Sequence, residues 1–236
     1  MRLHSGLEWV QGYHGAPLEG LSKLYDAGIF RCPRLPGIFA WLNARFYLVA
    51  DPGKYPRLVP AGKAVNFAGQ QLWLCEDPEF MPRVFFAAHV EPTTSDENVL
   101  DALCRAHASD HRVFVAGRRG TALAGRKAPG EVGLLDLAPN RIMAEVAATG
   151  DAFLFFSEAW YPAWTGFVDG VRVPVERVNV MFRGVTVPKG RHSVEMVYRS
   201  LPLQIGLWLS LVGWVALAGW VGSSIRHPAP SPNVTA

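Results

Sequence analysis

Charge is what this chain has least of. Asp, Glu, Lys and Arg together make up 18% of 236 residues, below the quarter usual for a soluble domain. The net charge of +3 is only a mild positive excess, and no run of Lys or Arg breaks the scatter. That removes the electrostatic footprint of a nucleic-acid binder, so no nucleic-acid partner is expected. Cysteine is also scarce. Cys32, Cys75 and Cys104 are odd in number and widely spaced, which argues against a disulfide framework or a CxxC metal site. They read as buried free thiols, with one disulfide compatible with the count. No GxSxG, HExxH, P-loop or GxGxxG occurs in a suitable context. No catalytic residue, metal or cofactor is therefore assigned, and enzymatic activity of this chain alone stays open. The N-terminus, MRLHSGLEWVQGYHG, lacks the apolar core of a signal peptide.

What the chain has in place of charge is apolar surface: 50% of residues are hydrophobic. From Ser200 to Ile225 no charged residue appears. About twenty apolar residues cross a hydrocarbon layer of roughly 30 Å, so 201–222 is expected to be a transmembrane helix and 223–236 a disordered, Pro-rich tail. Ser200 can cap this helix and Pro202 suits its first turn. Gly206 and Ser210 form a small-xxx-small pair that lets a second helix approach. The lipid bilayer is thus an expected partner, with other membrane helices beside it. Asn233-Val234-Thr235 fits a glycosylation acceptor, a weak pattern. Lys189, Arg191 and Arg199 before the helix, against Arg226 and His227 after it, lean towards a cytoplasmic body.

The remainder reads as α+β, mostly β. Residues 1–116 form a mixed α/β region. It includes a strand over Ala44–Val49, a hairpin of Val65–Phe67 with Gln71–Cys75, a strand over Val84–Val90, a helix capped at Ser95 or Asp96, and the strand HRVFVAG. The Gly- and Arg-rich stretch 117–132 reads as a loop or linker. Residues 133–200 carry turn signals at the spacing of an antiparallel β-sandwich. Hairpins are expected at Thr149-Gly150-Asp151, at Asp169-Gly170 and at Pro188-Lys189-Gly190, Asp-Gly being the strongest signal of the three. Pro174 points to an edge strand.

Four residues are candidates for binding a ligand. Trp160, Tyr161 and Trp164 crowd one turn built around Pro162 and could stack on sugar rings, although aromatics also dominate sandwich cores. Arg183 lies among apolar residues; it could bind phosphate, or pair with Glu158, Asp169 or Glu176. His107, Asp110 and His111 have metal-ligand spacing, but a solvated helix end explains them better. Arg118, Arg119, Arg126 and Lys127 form a basic loop suited to anionic lipid or simply to solvent.

The order of motifs carries more than any one of them. GYHGAPL, LNARFYLV, EDPEFMPRVFFA and EAWYPAWTGFVDGVRVPVERVNVMFRGVTVPKGRHSVEMVYR, followed by the apolar helix, resemble the C-terminal part of the YfhO family of bacterial multi-pass membrane proteins. The resemblance covers nearly all of the chain. It implies a GT-C-type glycosyltransferase system that moves a sugar from a polyprenyl-phosphate carrier to cell-envelope polymers. It also implies that this chain corresponds to the last extracytoplasmic region and final helix, without the catalytic part. The expected site is then the bacterial cytoplasmic membrane, with the soluble part outside. A glycan or polyprenyl-phosphate sugar is the implied ligand. The alternative is a non-catalytic, single-helix membrane-anchored binding or assembly protein.

Overall fold

The computed structural model describes residues 19–26, 37–62, 64–67, 69–105, 110–116, 122–125, 129–138 and 140–226. His107, weighed as a metal ligand and read as part of a solvated helix end, the basic residues Arg118, Arg119, Arg126 and Lys127, and Asn233 lie outside them. The chain divides into two compact units, Met1–Val197 and Tyr198–Ala236.

The first unit is mostly β. Its elements are α1 (Glu19–Asp26), β1 (Phe46–Val49), β2 (Val59–Pro60), β3 (Val65–Phe67), β4 (Gln70–Glu76), β5 (Val84–Phe86), β6 (His89–Thr93), α2 (Asp96–Arg105) and β7 (Arg112–Ala116). These are followed by β8 (Gly130–Ala138), β9 (Arg141–Ala148), β10 (Ala152–Ala159), β11 (Trp164–Val168), β12 (Val171–Val173), β13 (Glu176–Val178), β14 (Phe182–Val187) and β15 (Gly190–Tyr198). Two sheets dominate: one runs β5-β10-β14-β13-β7-β6, the other β12-β11-β15-β9-β8. A third, small sheet joins β1, β4, β2 and β3 around Val49, Leu58 and Cys75.

The six-stranded sheet is buried on both faces, and its sequence shows why. Strand β10 begins Ala-Phe-Leu-Phe-Phe, every residue of it buried. A continuous apolar run suits a strand covered on both sides. Phe153 and Phe155 face a core with Trp41, Leu24 of α1, and Val99, Leu100 and Leu103 of α2. Leu154 and Phe156 face the other way, against Val146, Val168, Val194 and Met196 of the five-stranded sheet. The order is therefore helices, sheet, sheet.

Strands β6 and β7 are parallel, with α2 as their crossover. A parallel pair needs such a connection of a dozen or more residues. The Ser95 hydroxyl accepts the Glu97 amide at 3.1 Å, capping α2.

Three expectations change. Strands β5, β6 and β7 share a sheet with β10, β13 and β14, so the stretch 117–132 separates no mixed domain from a self-contained sandwich. The expected strand 84–90 is two strands, split by Ala87 and Ala88. Ala87 donates to the Phe153 carbonyl and Ala88 to the His111 carbonyl, which bends the chain from one neighbour to another. The turns at 149–151 and 188–190 do not make hairpins. Each carries the chain from one large sheet to the other, since β9 and β15 pair in one while β10 and β14 pair in the other. Asp169-Gly170 is a true hairpin turn between β11 and β12, with Val168 opposite Val171. Strand β12 is an edge strand, and Pro174 ends it.

The thiols also divide. Cys104 of α2 is disulfide-bonded, the one disulfide that the cysteine count left open, while Cys75 is a buried free thiol. Cys32 lies outside the described residues. In the second unit, α3 (Leu201–Arg226) is one continuous helix, and Gln204–Gly222 is long and apolar enough to cross a membrane.

Candidate functional site

The candidate residues converge at the end of β10, where a bulge interrupts its pairing with β14. The register shifts between Phe156 and Ala159. A bulge adds a residue to one strand and re-aims the side chains there. Ser157 turns to donate from its hydroxyl to the Trp41 carbonyl at 2.6 Å, and its amide donates to the Arg83 carbonyl at 2.8 Å. Glu158, next in the bulge, accepts from the Arg83 Nε at 2.6 Å.

The aromatic turn follows. Trp164 N donates to the Tyr161 carbonyl at 3.1 Å, closing a turn in which Pro162 takes the position its fixed φ suits. Trp160 is tied at both ends. Its amide donates to the Met181 carbonyl at 2.7 Å and its indole Nε1 to the Val175 carbonyl at 3.2 Å. Trp164 packs against the inter-sheet core. Tyr161 is the outermost of the three, at 36% exposure.

Arg183 of β14 reaches into this turn. Only 1% of the residue is exposed. Its guanidinium lies over the Trp164 ring, with Cζ 3.6 Å from the ring centroid. Its Nη1 donates to the Ala159 carbonyl at 3.0 Å, and its Nη2 stands 3.9 Å from Glu158 Oε2. Nε and Nη2 have no hydrogen-bond partner. Burial pushes the Arg183 pKa down to about 10, against the pull of the Glu158 carboxylate and with help from the Arg83 cation. The side chain stays charged at neutral pH. Of the partners considered for Arg183, Glu158 is the near one. Asp169 lies instead against His192, with Nδ1 to Oδ2 at 2.6 Å.

Beside this cluster the backbone is strained. Asn179 and Val180 have φ of 44° and 74°, and Met181 N donates to the Asn179 carbonyl at 2.9 Å. That is a γ-turn of the rare kind, with a β-branched residue at its centre. Surrounding bonds hold it. The Asn179 side chain accepts the Phe114 amide at 2.8 Å, the Val180 carbonyl accepts Arg177 Nη1 at 2.7 Å, and the Met181 carbonyl accepts the Trp160 amide.

Structure thus brings Trp164, Arg183 and Glu158 into one contact, with Trp160 and Tyr161 on the same turn. Its chemistry is that of a cation on an aromatic face beside a carboxylate, which holds or recognises rather than transfers a proton. Arg83 and the Ala159 carbonyl were not visible in the sequence as members. Arg83 meets Glu158 across 75 positions of chain, and no local spacing announces such a partner. His111 packs its ring against Phe85, with centroids 4.4 Å apart. Among the described residues no group of three or more His, Cys, Asp or Glu is arranged to hold a metal. The chain matches no family model, no curated protein and no solved structure.

Proposed function

We propose that the chain is the extracytoplasmic sandwich and final membrane helix of a YfhO-like membrane protein. It would serve the glycosylation of cell-envelope polymers from a polyprenyl-phosphate sugar and lack the catalytic part itself. The observation that carries this reading is the joint presence of a disulfide-bonded Cys104 and an apolar helix that begins three residues after β15 ends. Disulfides persist on the oxidising side of a membrane and are rare in the cytosol. The motif order running from Glu158 to Arg199 supports the kinship. The basic residues before the helix do not oppose it, because long domains cross largely regardless of their charge.

Within this reading Trp160, Tyr161, Trp164 and Arg183 form the ligand-facing corner. Trp164 and Arg183 are committed to each other. Tyr161 is the most exposed of the three rings and the one a sugar reaches first, and Trp160 stands beside it on the same turn.

Topology tests the proposal. Alkaline phosphatase fused after Arg199 within the native gene in its genomic context should be active in bacteria, and the same reporter fused after Ala236 inactive. Deleting the gene should remove a sugar substituent from a purified envelope polymer. An active cytoplasmic reporter after Arg199, with an unaltered polymer, would overturn the reading in favour of the non-catalytic anchored binding or assembly protein.

A further inference from the structure

The strongest feature outside the candidate site is near the start of β15, where His192 meets the β11–β12 turn. Asp169 and Gly170 form this turn with φ of 50° and 79°. The turn is stapled to β15 by one backbone–backbone bond and one bond from backbone to the Asp169 carboxylate. Asp169 N donates to the Ser193 carbonyl at 2.9 Å, and Ser193 N donates to Asp169 Oδ1 at 2.8 Å. His192 adds the third tie, Nδ1 to Asp169 Oδ2 at 2.6 Å. Its other nitrogen, Nε2, lies 3.2 Å from the Lys189 carbonyl.

Both ring nitrogens therefore face oxygen atoms that can only accept. A neutral imidazole has one N–H and would turn a lone pair towards one of them. The imidazolium has two N–H groups and satisfies both. The seat for the ring is built by Gly190. It has φ of 128°, and a Cβ there would stand 3.1 Å from His192 Nε2.

Charges on neighbouring elements leave Asp169 as the ionised partner. His192 alternates with Arg191, Ser193 and Glu195 along β15, and Val146 is its cross-strand neighbour. Arg191, Glu145 opposite Ser193, and Glu131 opposite Ala147 therefore project to the outer face. Arg172 is opposite Phe167, on the face away from Val168. Lys189 offers its carbonyl, and Asp151 stands on the neighbouring corner between β9 and β10.

We propose that His192 and Asp169 form a proton-dependent latch that fastens the β11–β12 hairpin to β15. The latch is closed while the ring is an imidazolium and the carboxyl is ionised. The hydrogen bond to Asp169 raises the His192 pKa, and the bond from His192, with the Ser193 amide, lowers that of Asp169. A raised histidine pKa means that its share of stability is complete below the unfolded value of about 6.5 and is lost as pH rises through the folded value. A lowered carboxyl pKa means that its share is lost only as pH falls through the depressed value. The closed window lies between the two. This inference is independent of the proposed function.

Two measurements on the full chain in detergent test it. In a histidine NMR titration, the resonance absent from H192Q should titrate above 6.5, and in D169N it should fall back towards that value. Hydrogen exchange, corrected for intrinsic rates, should speed up in the amides of Val168–Val173 as pH rises through the His192 pKa. In D169N this dependence should vanish. A His192 that titrates at or below 6.5, or hairpin exchange with the same pH dependence in wild type and D169N, overturns the latch. D169N keeps the shape of the turn, so the result stands even where H192Q folds poorly.

Discussion

Arg183 makes one hydrogen bond at 3.0 Å, although its guanidinium carries five N–H groups. A buried polar group that is only partly satisfied contributes little net stability, and an apolar residue of similar volume often replaces it at no cost. R183M should therefore change the free energy of unfolding by less than about 1 kcal/mol, or raise it. E158Q is expected to behave differently. It removes the carboxylate that faces both Arg83 and Arg183 and leaves two cations together, so a loss of about 1–3 kcal/mol is expected. Urea unfolding of the two variants, followed by tryptophan fluorescence, checks both. A loss for R183M larger than for E158Q would mean that the stacking on Trp164 outweighs the unmet hydrogen bonds. W164A removes the ring under the guanidinium and part of the inter-sheet core, at about 3 kcal/mol. The sequence made the aromatic turn legible, because Pro162 and the flanking rings are adjacent in the chain. It left Arg183 with three possible carboxylates. The choice of Glu158 depends on the bulge in β10, a feature of pairing with β14 that no local pattern records.

Glycines show how far each element's sequence constrains its packing. Gly184 lies in β14 between β10 and β13, and an added Cβ would stand 2.4 Å from the Phe153 ring and 2.8 Å from the Leu154 carbonyl. Neither can yield in a sheet covered on both faces. G184A should cost about 3 kcal/mol or more through overpacking. Gly170 has open space around its would-be Cβ and φ of 79°. G170A therefore carries the backbone penalty alone, about 1–2 kcal/mol. Thermal melts of the two variants should rank G184A well below G170A; equal losses would show that Phe153 moves aside. The same elements explain which turns were readable. Asp169-Gly170 has the residues that a two-residue hairpin demands, and it forms one. The turns at 149–151 and 188–190 have equally good turn chemistry, but turn chemistry says only that the chain reverses. Whether the next strand pairs with the last or crosses to the facing sheet is decided by which strand buries which apolar side. Strands β10 and β14 bury residues on both faces, so they sit in the sheet that helices cover.

At the scale of the whole molecule, two features make separable demands. The first unit has its own cores on both faces of the six-stranded sheet. It needs no apolar phase to satisfy them. Helix α3 is the reverse. Its side chains from Gln204 to Val221 are exposed on all sides, including Trp208, Trp214 and Trp220. A helix apolar all round is stable in lipid rather than in water. A chain ending at Arg199 should therefore be soluble without detergent and keep the near-ultraviolet circular dichroism of the full chain, while the full chain stays with membranes through carbonate washing. G213R, with a charge in mid-helix, should weaken insertion by about 2.5–3.5 kcal/mol and release part of the protein. The disulfide at Cys104 then reports the compartment of the soluble unit. If α3 holds this unit on the oxidising side, protein from native membranes, denatured without reductant, should label Cys75 with a maleimide and leave Cys104 protected. Prior reduction should expose Cys104 and lower the unfolding free energy by about 2–4 kcal/mol. Labelling of Cys104 without reductant would mean that the bond does not form in the cell, and the soluble unit would then belong on the reducing face. Buried Cys75 serves as the internal standard: it should react only after denaturation, in either compartment.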